Sequence, residues 1–201
     1  MKFNGIFSFV LISLVCFAVS SGPVNAAISD SDFLDLCETG TLQQIEEAIK
    51  DGANINARND DQETPLMLAA WSNSDPEVIT ALVKAGAQVN EKDKVGDTPL
   101  MFATTSNSNP DVTAALVKAG ADINAKNNEG STALILAVKN NPPDIEAVRV
   151  VPNPEVILTL LQLGADPKIK DNEGKMAIDY AKEVESLKDT DAIKKLSEVS
   201  A

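Results

Sequence analysis

Residues 64–69 read TPLMLA, and closely similar stretches follow at residues 98–103, TPLMFA, and 132–137, TALILA. The spacing between successive stretches is constant. A second marker keeps the same phase and recurs as GANIN at 52–56, GAQVN at 86–90, GADIN at 120–124 and, after a longer interval, GADP at 164–167. Two markers in one phase predict a repeat protein, in which neighbouring units stack to bury a core that no single unit could bury alone.

Each full unit carries the signals of two short helices. The apolar stretch that follows Thr64 fits a helix with Pro65 in its first turn, a position where the missing N–H is harmless. The Asp-Pro-Glu stretch at 75–77 and its later equivalents mark the start of a second helix. Gly52 and its equivalents can take the left-handed conformation that ends a helix. The polar turn that follows, as at residues 128–130, predicts a hairpin-like projection.

The N-terminal unit lacks the TPLxxA motif, so other local signals predict its helix. Thr41 and Gln44 form a capping box, and Ile45 begins the buried stripe of the following helix. Cys37 is the only cysteine after residue 26, so an intramolecular disulfide is impossible in the mature chain. Since Cys37 lies among apolar residues, we expect it to be buried and inert.

This order of helix, turn, helix and projecting turn, with TPLxxA at its start, resembles the ankyrin repeat. The resemblance covers residues 31 to about 199. It implies an all-α repeat solenoid of stacked helix-turn-helix units with projecting β-hairpin-like turns. We divide the chain into an N-terminal unit at 31–60, repeats at 61–94, 95–128 and 129–172, and a C-terminal cap at 173–201.

Three departures from the ankyrin pattern carry structural expectations. The His that commonly follows Thr-Pro-Leu is replaced by Met67, Met101 or Ile135, so we expect apolar packing in place of its hydrogen bonds. Gln62 stands where the later turns have glycine, so we expect the first turn to differ in geometry. An insertion near 140–150 is either tolerated loop growth or an apolar segment that packs down or offers a contact.

The N-terminal segment, 1–26, has the features of a cleaved export signal. Lys2 supplies the charged start, and an apolar run extends from Ile6 to Val19. A retained transmembrane helix would need about twenty apolar residues, whereas this run has fourteen. We expect cleavage after Ala26, which predicts a periplasmic or secreted protein that spans positions 27–201.

Charge and composition exclude several classes of function. The chain has 30 acidic and 17 basic residues, a formal net charge of −13, which becomes −14 after loss of Lys2. Phosphate and anionic lipid would repel so acidic a protein, so we expect neither a nucleic-acid partner nor membrane insertion of the mature chain. The chain has no histidine, which removes the commonest general base and metal ligand at neutral pH. Catalysis by Ser-His-Asp, Cys-His or HExxH groups is therefore excluded.

We expect no catalytic residue, cofactor or metal. The eight glycines after residue 26 lie at repeat boundaries and inter-helix links, and none forms a phosphate-cradling loop. The oxygen-rich stretch at residues 59–63 lacks the spacing of a calcium loop. Paired carboxylates could in principle hydrolyse glycosides, but abundant acids are better explained by a solvated acidic face.

The remaining candidate is a protein-binding surface. In ankyrin arrays, partners contact the tips of the projecting turns and the concave face of the first helices, and the resemblance carries these positions onto this chain. The tips are Asp60, Asp61, Lys94, Val95, Asn128, Glu129, Asn172 and Glu173. The exposed positions at the ends of the first helices are Trp71, Ser72, Thr105, Ser106, Val138 and Lys139. Trp71 is the only tryptophan, and we expect it to anchor a partner; the alternative is packing over the link at 72–74.

These observations favour a monomeric, non-enzymatic module that binds a partner protein. An alternative is an inhibitor or immunity-type protein that blocks a basic exported enzyme or toxin, since complementary charge speeds association. An envelope scaffold without a specific ligand and a carboxylate-based hydrolase are further alternatives.

Overall fold

The structure is a computed structural model that describes residues 28–139 and 152–200. The predicted export signal and the insertion near 140–150 lie outside these ranges. The described residues form ten α-helices, a 3₁₀ turn at Glu185–Leu187 and no β-strand. The helices are α1 (Asp30–Thr39), α2 (Leu42–Lys50), α3 (Pro65–Ser72), α4 (Pro76–Lys84), α5 (Pro99–Ser106), α6 (Pro110–Lys118), α7 (Ala133–Lys139), α8 (Pro154–Gln162), α9 (Ala177–Ala181) and α10 (Asp191–Ser200).

The helices pack as two rows. The odd-numbered helices form an inner row, in which α3 packs between α1 and α5, and α7 between α5 and α9. The even-numbered helices form an outer row, with α4 between α2 and α6, and α8 between α6 and α10. Each inner helix also contacts the outer helix that follows it in the chain. This arrangement confirms the predicted all-α repeat solenoid.

Local capping sets where the helices begin. The Thr41 N–H donates to Gln44 Oε1 at 2.9 Å, and the Gln44 N–H returns a bond to Thr41 Oγ1 at 3.3 Å. In the first full repeat, the Glu77 N–H donates to Asp75 Oδ1 at 2.9 Å. These bonds satisfy N–H groups that have no partner within the helix. The capping residues named from the sequence are confirmed.

The core is built from equivalent positions in successive repeats. Leu66, Leu100 and Leu134 are each buried at the same place in α3, α5 and α7. Cys37 is buried as predicted, and burial raises the pKa of its thiol to about 12. The thiol therefore stays protonated at neutral pH, in the form that is neither a nucleophile nor a metal ligand.

Met67 and Met101 pack in the apolar core as expected, but the expectation that they make no hydrogen bond is wrong. The Thr64 N–H donates to Met67 Sδ at 3.3 Å, and the Thr98 N–H donates to Met101 Sδ at 3.5 Å. An unbranched methionine reaches back over one helical turn and places a weak acceptor on the capping N–H. Only Ile135, in the third repeat, has no atom that could accept this bond.

The expectation for Gln62 is also wrong, because the first turn keeps the geometry of the others. Gln62 has φ +65°, close to the +85° of Gly96 and the +76° of Gly130. Its N–H donates to Asn59 O at 3.0 Å, the same bond that closes the later turns. The hydrogen bonds of the turn hold Gln62 in the left-handed region despite its side chain.

Candidate partner-binding surface

Trp71, near the end of the inner helix α3, is a large aromatic side chain that is exposed to solvent. It is 43% exposed, whereas its neighbours Met67 and Ala70 on α3 face the core. The indole meets Phe102 of the next repeat edge to face, with ring centroids 5.8 Å apart and an interplanar angle of 67°. The ring therefore packs against α5, and part of its surface remains accessible.

Asparagine side chains set the register of the inner helices. Asn73 Nδ2 donates to Cys37 O at 3.3 Å, and Asn107 Nδ2 donates to the equivalent Ala70 O at 3.0 Å. Since Cys37 and Ala70 are equivalent, the next residues, Glu38 on α1 and Trp71 on α3, are equivalent too. The regular spacing of the repeats extends the series to α5 and α7. We call this line of positions the concave line: Glu38, Trp71, Thr105 and Lys139.

The other helix-end residues differ in exposure. Ser72 is exposed, and Thr105 is half-buried with its hydroxyl donating to Met101 O at 3.1 Å. The assignment of Val138 to the exposed surface is wrong, because Val138 is fully buried. Lys139, and not Val138, lies one repeat after Thr105. Val138 therefore faces the core.

The projecting tips form a continuous edge. All six predicted tip residues from the first three turns are exposed. The Lys94 N–H donates to Asp61 O at 3.1 Å, and the Asn128 N–H donates to Val95 O at 3.0 Å. The Glu129 carbonyl accepts the next bond in the same series at 2.9 Å. Backbone bonds between turns restrain the tips relative to one another, so the edge is pre-organised for binding.

At the C-terminal end of the concave line, lysines are paired within the chain. Lys139 Nζ lies 3.1 Å from Glu129 Oε2, and Lys175 Nζ lies 3.2 Å from Glu173 Oε2. Both ammonium groups also lie near the Tyr180 ring, 5.3 and 5.0 Å from its centroid.

The Tyr180 hydroxyl donates to Asp171 Oδ2 at 2.5 Å. Burial, followed by this bond to a carboxylate, raises the pKa of Tyr180 well above its usual value. The phenol is thus a neutral hydrogen-bond donor. The interactions join α7 to the C-terminal unit.

At the N-terminal end, carboxylates are not paired. Within the described ranges, no lysine or arginine nitrogen lies within 4.0 Å of a carboxylate oxygen of Asp35, Glu38 or Glu63. Partial burial, and then the negative charges of Asp35 and Glu63, raise the pKa of Glu38. Sequence reasoning missed Glu38 because the first unit lacks TPLxxA. Aligning Cys37 with Ala70, each a small apolar residue just before its helix ends, would have found it.

Within the acidic stretch at residues 59–63, the side chain of Asn59 forms hydrogen bonds that stay inside the turn. Asn59 Oδ1 accepts the N–H groups of Asp61 and Glu63 at 3.0 and 2.9 Å. Asn59 Nδ2 donates to Glu63 Oε2 at 2.5 Å. Across residues 28–139 and 152–200, no group of three or more cysteine, aspartate or glutamate side chains is arranged to hold a metal ion.

A stack of paired helices with a hydrogen-bonded edge of turns defines a repeat solenoid. A family model described as "Ankyrin repeats (many copies)" matches residues 33–83, and one described as "Ankyrin repeats (3 copies)" matches residues 73–171. The chain belongs to the ankyrin-repeat family, whose members generally act as non-catalytic modules for protein–protein interaction. No curated protein matches the chain closely enough to count as a relative.

Proposed function

We propose that the protein is a monomeric, exported, non-enzymatic module that binds a partner protein through its concave face and turn tips. The observation that carries this proposal is the exposure of Trp71, which is held by Phe102 on an otherwise well-packed inner row. Rigid, exposed tryptophans are frequent anchors of protein interfaces. The residues proposed to contact the partner are Trp71, Ser72, Thr105, Lys139, Asp60, Asp61, Lys94, Val95, Asn128 and Glu129.

A capture experiment tests the surface. The full-length chain is expressed, and the purified product is used to retain proteins from the native envelope fraction. Trp71→Ala should weaken retention of the partner by about tenfold or more, with little change in melting temperature. The matched control is Leu163→Ala, because Leu163 is 39% exposed but follows the outer helix α8. Equal loss with both variants would overturn the concave-face assignment.

The location is a separate part of the proposal. It is supported by the charged start and apolar run in residues 1–26. Within residues 28–139 and 152–200, no helix is long and apolar enough to cross a membrane. Mass spectrometry of protein recovered from the periplasm or medium should find a chain that begins at Ala27. An uncleaved N-terminus on membrane-bound protein would overturn export in a processed form.

The second candidate is an inhibitor or immunity-type protein that blocks a basic exported enzyme or toxin. The net charge of −13 favours it, as do the carboxylates of Asp35 and Glu38, which have no cation within 4.0 Å in the described residues. Electrostatic steering predicts that the association rate with the captured partner falls steeply, by about tenfold or more, from low to high salt. An association rate that does not depend on salt would oppose this candidate and leave the general binding function intact.

A further inference from the structure

The charged side chains at the two ends of the concave line differ in whether they have an oppositely charged partner within the chain. Lys139 and Lys175 at the C-terminal end each have a glutamate within the chain. Asp35 and Glu38 at the N-terminal end have no cation within 4.0 Å in the described residues. A basic partner would therefore gain most at the N-terminal end.

The unpaired carboxylates are close enough to repel one another. The negative charges of Asp35 and Glu63 oppose ionisation of Glu38, in addition to its partial burial. Like charges that share a site disfavour the ionised form of each. A cation placed among them would remove this repulsion, so the free surface is arranged to favour a positively charged ligand.

Trp71 holds on α3 the position that Glu38 holds on the adjacent helix α1. The matching bonds of Asn73 and Asn107 place Glu38 and Trp71 at equivalent heights on α1 and α3. Axes of packed helices are about 8–10 Å apart. A guanidinium within about 6 Å of an indole face can therefore also reach a carboxylate on the adjacent helix.

Arginine fits these two neighbours better than lysine does. Its planar group stacks on an aromatic face while its N–H groups pair with a carboxylate, and it is more weakly hydrated than an ammonium. The edge contact with Phe102 holds the indole in place, so little side-chain freedom is lost when a ligand stacks on it.

We infer that this N-terminal part of the concave face binds an arginine of a basic partner segment, with the guanidinium stacked on Trp71 and paired with Glu38. The inference rests on the proposed function, because it names the partner chemistry for the same face.

The test uses tryptophan fluorescence, because Trp71 is the only tryptophan in the chain. The product of the full-length chain is titrated with an acetylated, amidated tetra-arginine peptide and with the matched tetra-lysine peptide. Tetra-arginine should give a saturable change in emission and bind about threefold or more tighter than tetra-lysine.

Two charge-matched variants separate a local contact from general attraction. Glu38→Gln should weaken tetra-arginine binding by about fivefold or more. Glu46→Gln, an exposed position on the outer helix α2 of the same unit, should change it by less than about twofold. Glu38→Gln should not lower the melting temperature, because it removes a carboxylate that its neighbours repel.

Equal weakening by both variants, equal affinity for the two peptides, or no saturable emission change would overturn the inference. A captured partner that is lost with Trp71→Ala, combined with no response to tetra-arginine, would overturn the arginine inference alone. A tetra-arginine response as expected, combined with no captured protein, would overturn the proposed function and leave the arginine site standing.

Discussion

The turns at residues 127–131 and 171–175 share one backbone conformation but differ in what lies beside them. Gly130 and Gly174 have φ +76° and +79°, and each N–H closes its turn at 3.0 Å. A Cβ on Gly130 would lie 2.4 Å from Asn172 Oδ1 and 2.9 Å from the Asn172 backbone nitrogen. A Cβ on Gly174 would meet no atom within 4 Å. Hydrogen bonds within the turn thus set its backbone conformation. Whether a side chain fits at the glycine depends on whether another repeat follows the turn.

The largest loss of stability should come from a substitution in the turn at residues 127–131, which we call the interior turn because another repeat follows it. Gly130→Ala adds the cost of a left-handed alanine, about 1–2 kcal/mol, to a clash with the backbone of the next turn, typically about 1–3 kcal/mol. We expect a loss of about 3 kcal/mol in the free energy of unfolding, measured by urea denaturation. A loss no larger than that of Gly174→Ala would show that the next turn moves aside freely.

An intermediate effect should come from the core of the preceding repeat, 95–128. Thr113 is fully buried on α6, at the position that Ile79 and Ile157 occupy on α4 and α8. Within the described residues its Oγ1 has no hydrogen-bond partner. Thr113→Val keeps the shape and removes a polar group whose burial without a partner costs about 1–3 kcal/mol.

We therefore expect Thr113→Val to stabilise the protein by about 1 kcal/mol in thermal or urea unfolding. Thr80→Val on α4 is the matched control, because Thr80 is exposed and its hydroxyl donates to Pro76 O. Its effect should stay within about 0.5 kcal/mol. Destabilisation by Thr113→Val would indicate that the buried hydroxyl has a partner after all.

A substitution in the turn at residues 171–175, the end turn, should lower stability less than the same substitution in the interior turn. Gly174→Ala meets no neighbour, so only the backbone penalty of about 1–2 kcal/mol applies. Paired urea titrations of Gly174→Ala and Gly130→Ala measure the steric part of the interior effect as their difference. Equal midpoints would contradict the claim that Asn172 restricts Gly130.

The smallest effect should come from the first turn, where a glycine is missing. Gln62→Gly relieves a side chain held at φ +65°. Part of this gain is lost because glycine increases the freedom of the unfolded chain. We expect stabilisation of about 0.5 kcal/mol or less by differential scanning calorimetry. A clear loss of stability would mean that the Gln62 side chain makes a contact that supports the turn.

Local signals in the sequence predicted the helices well. The caps at Thr41 and Asp75 act over two or three residues, so their partners can be read directly from the chain. The errors arose where backbone hydrogen bonds or the repeat spacing, rather than the residue type, decided the outcome. Gln62 was expected to alter its turn, but bonds across residues 59–63 hold the common geometry. Val138 was assigned to the surface because the helix end was placed one residue too early.

The candidate surface was only partly predictable. Trp71 and the tips follow from motif positions, and the structure leaves them exposed. Glu38 was missed because the first unit has no TPLxxA motif to set its register. That register comes from the amide of Asn73, which reaches the carbonyl of Cys37 on the preceding inner helix.

The sequence by itself determined the repeat, the helix starts and stops, the acidic balance and the absence of histidine chemistry. These properties depend on composition or on interactions between residues at most one helical turn apart. Only the tertiary structure decided that Glu38 lies level with Trp71 and that Lys139 and Lys175 both approach Tyr180. Such arrangements join different helices, and their geometry exists only when the repeats stack to bury a shared core.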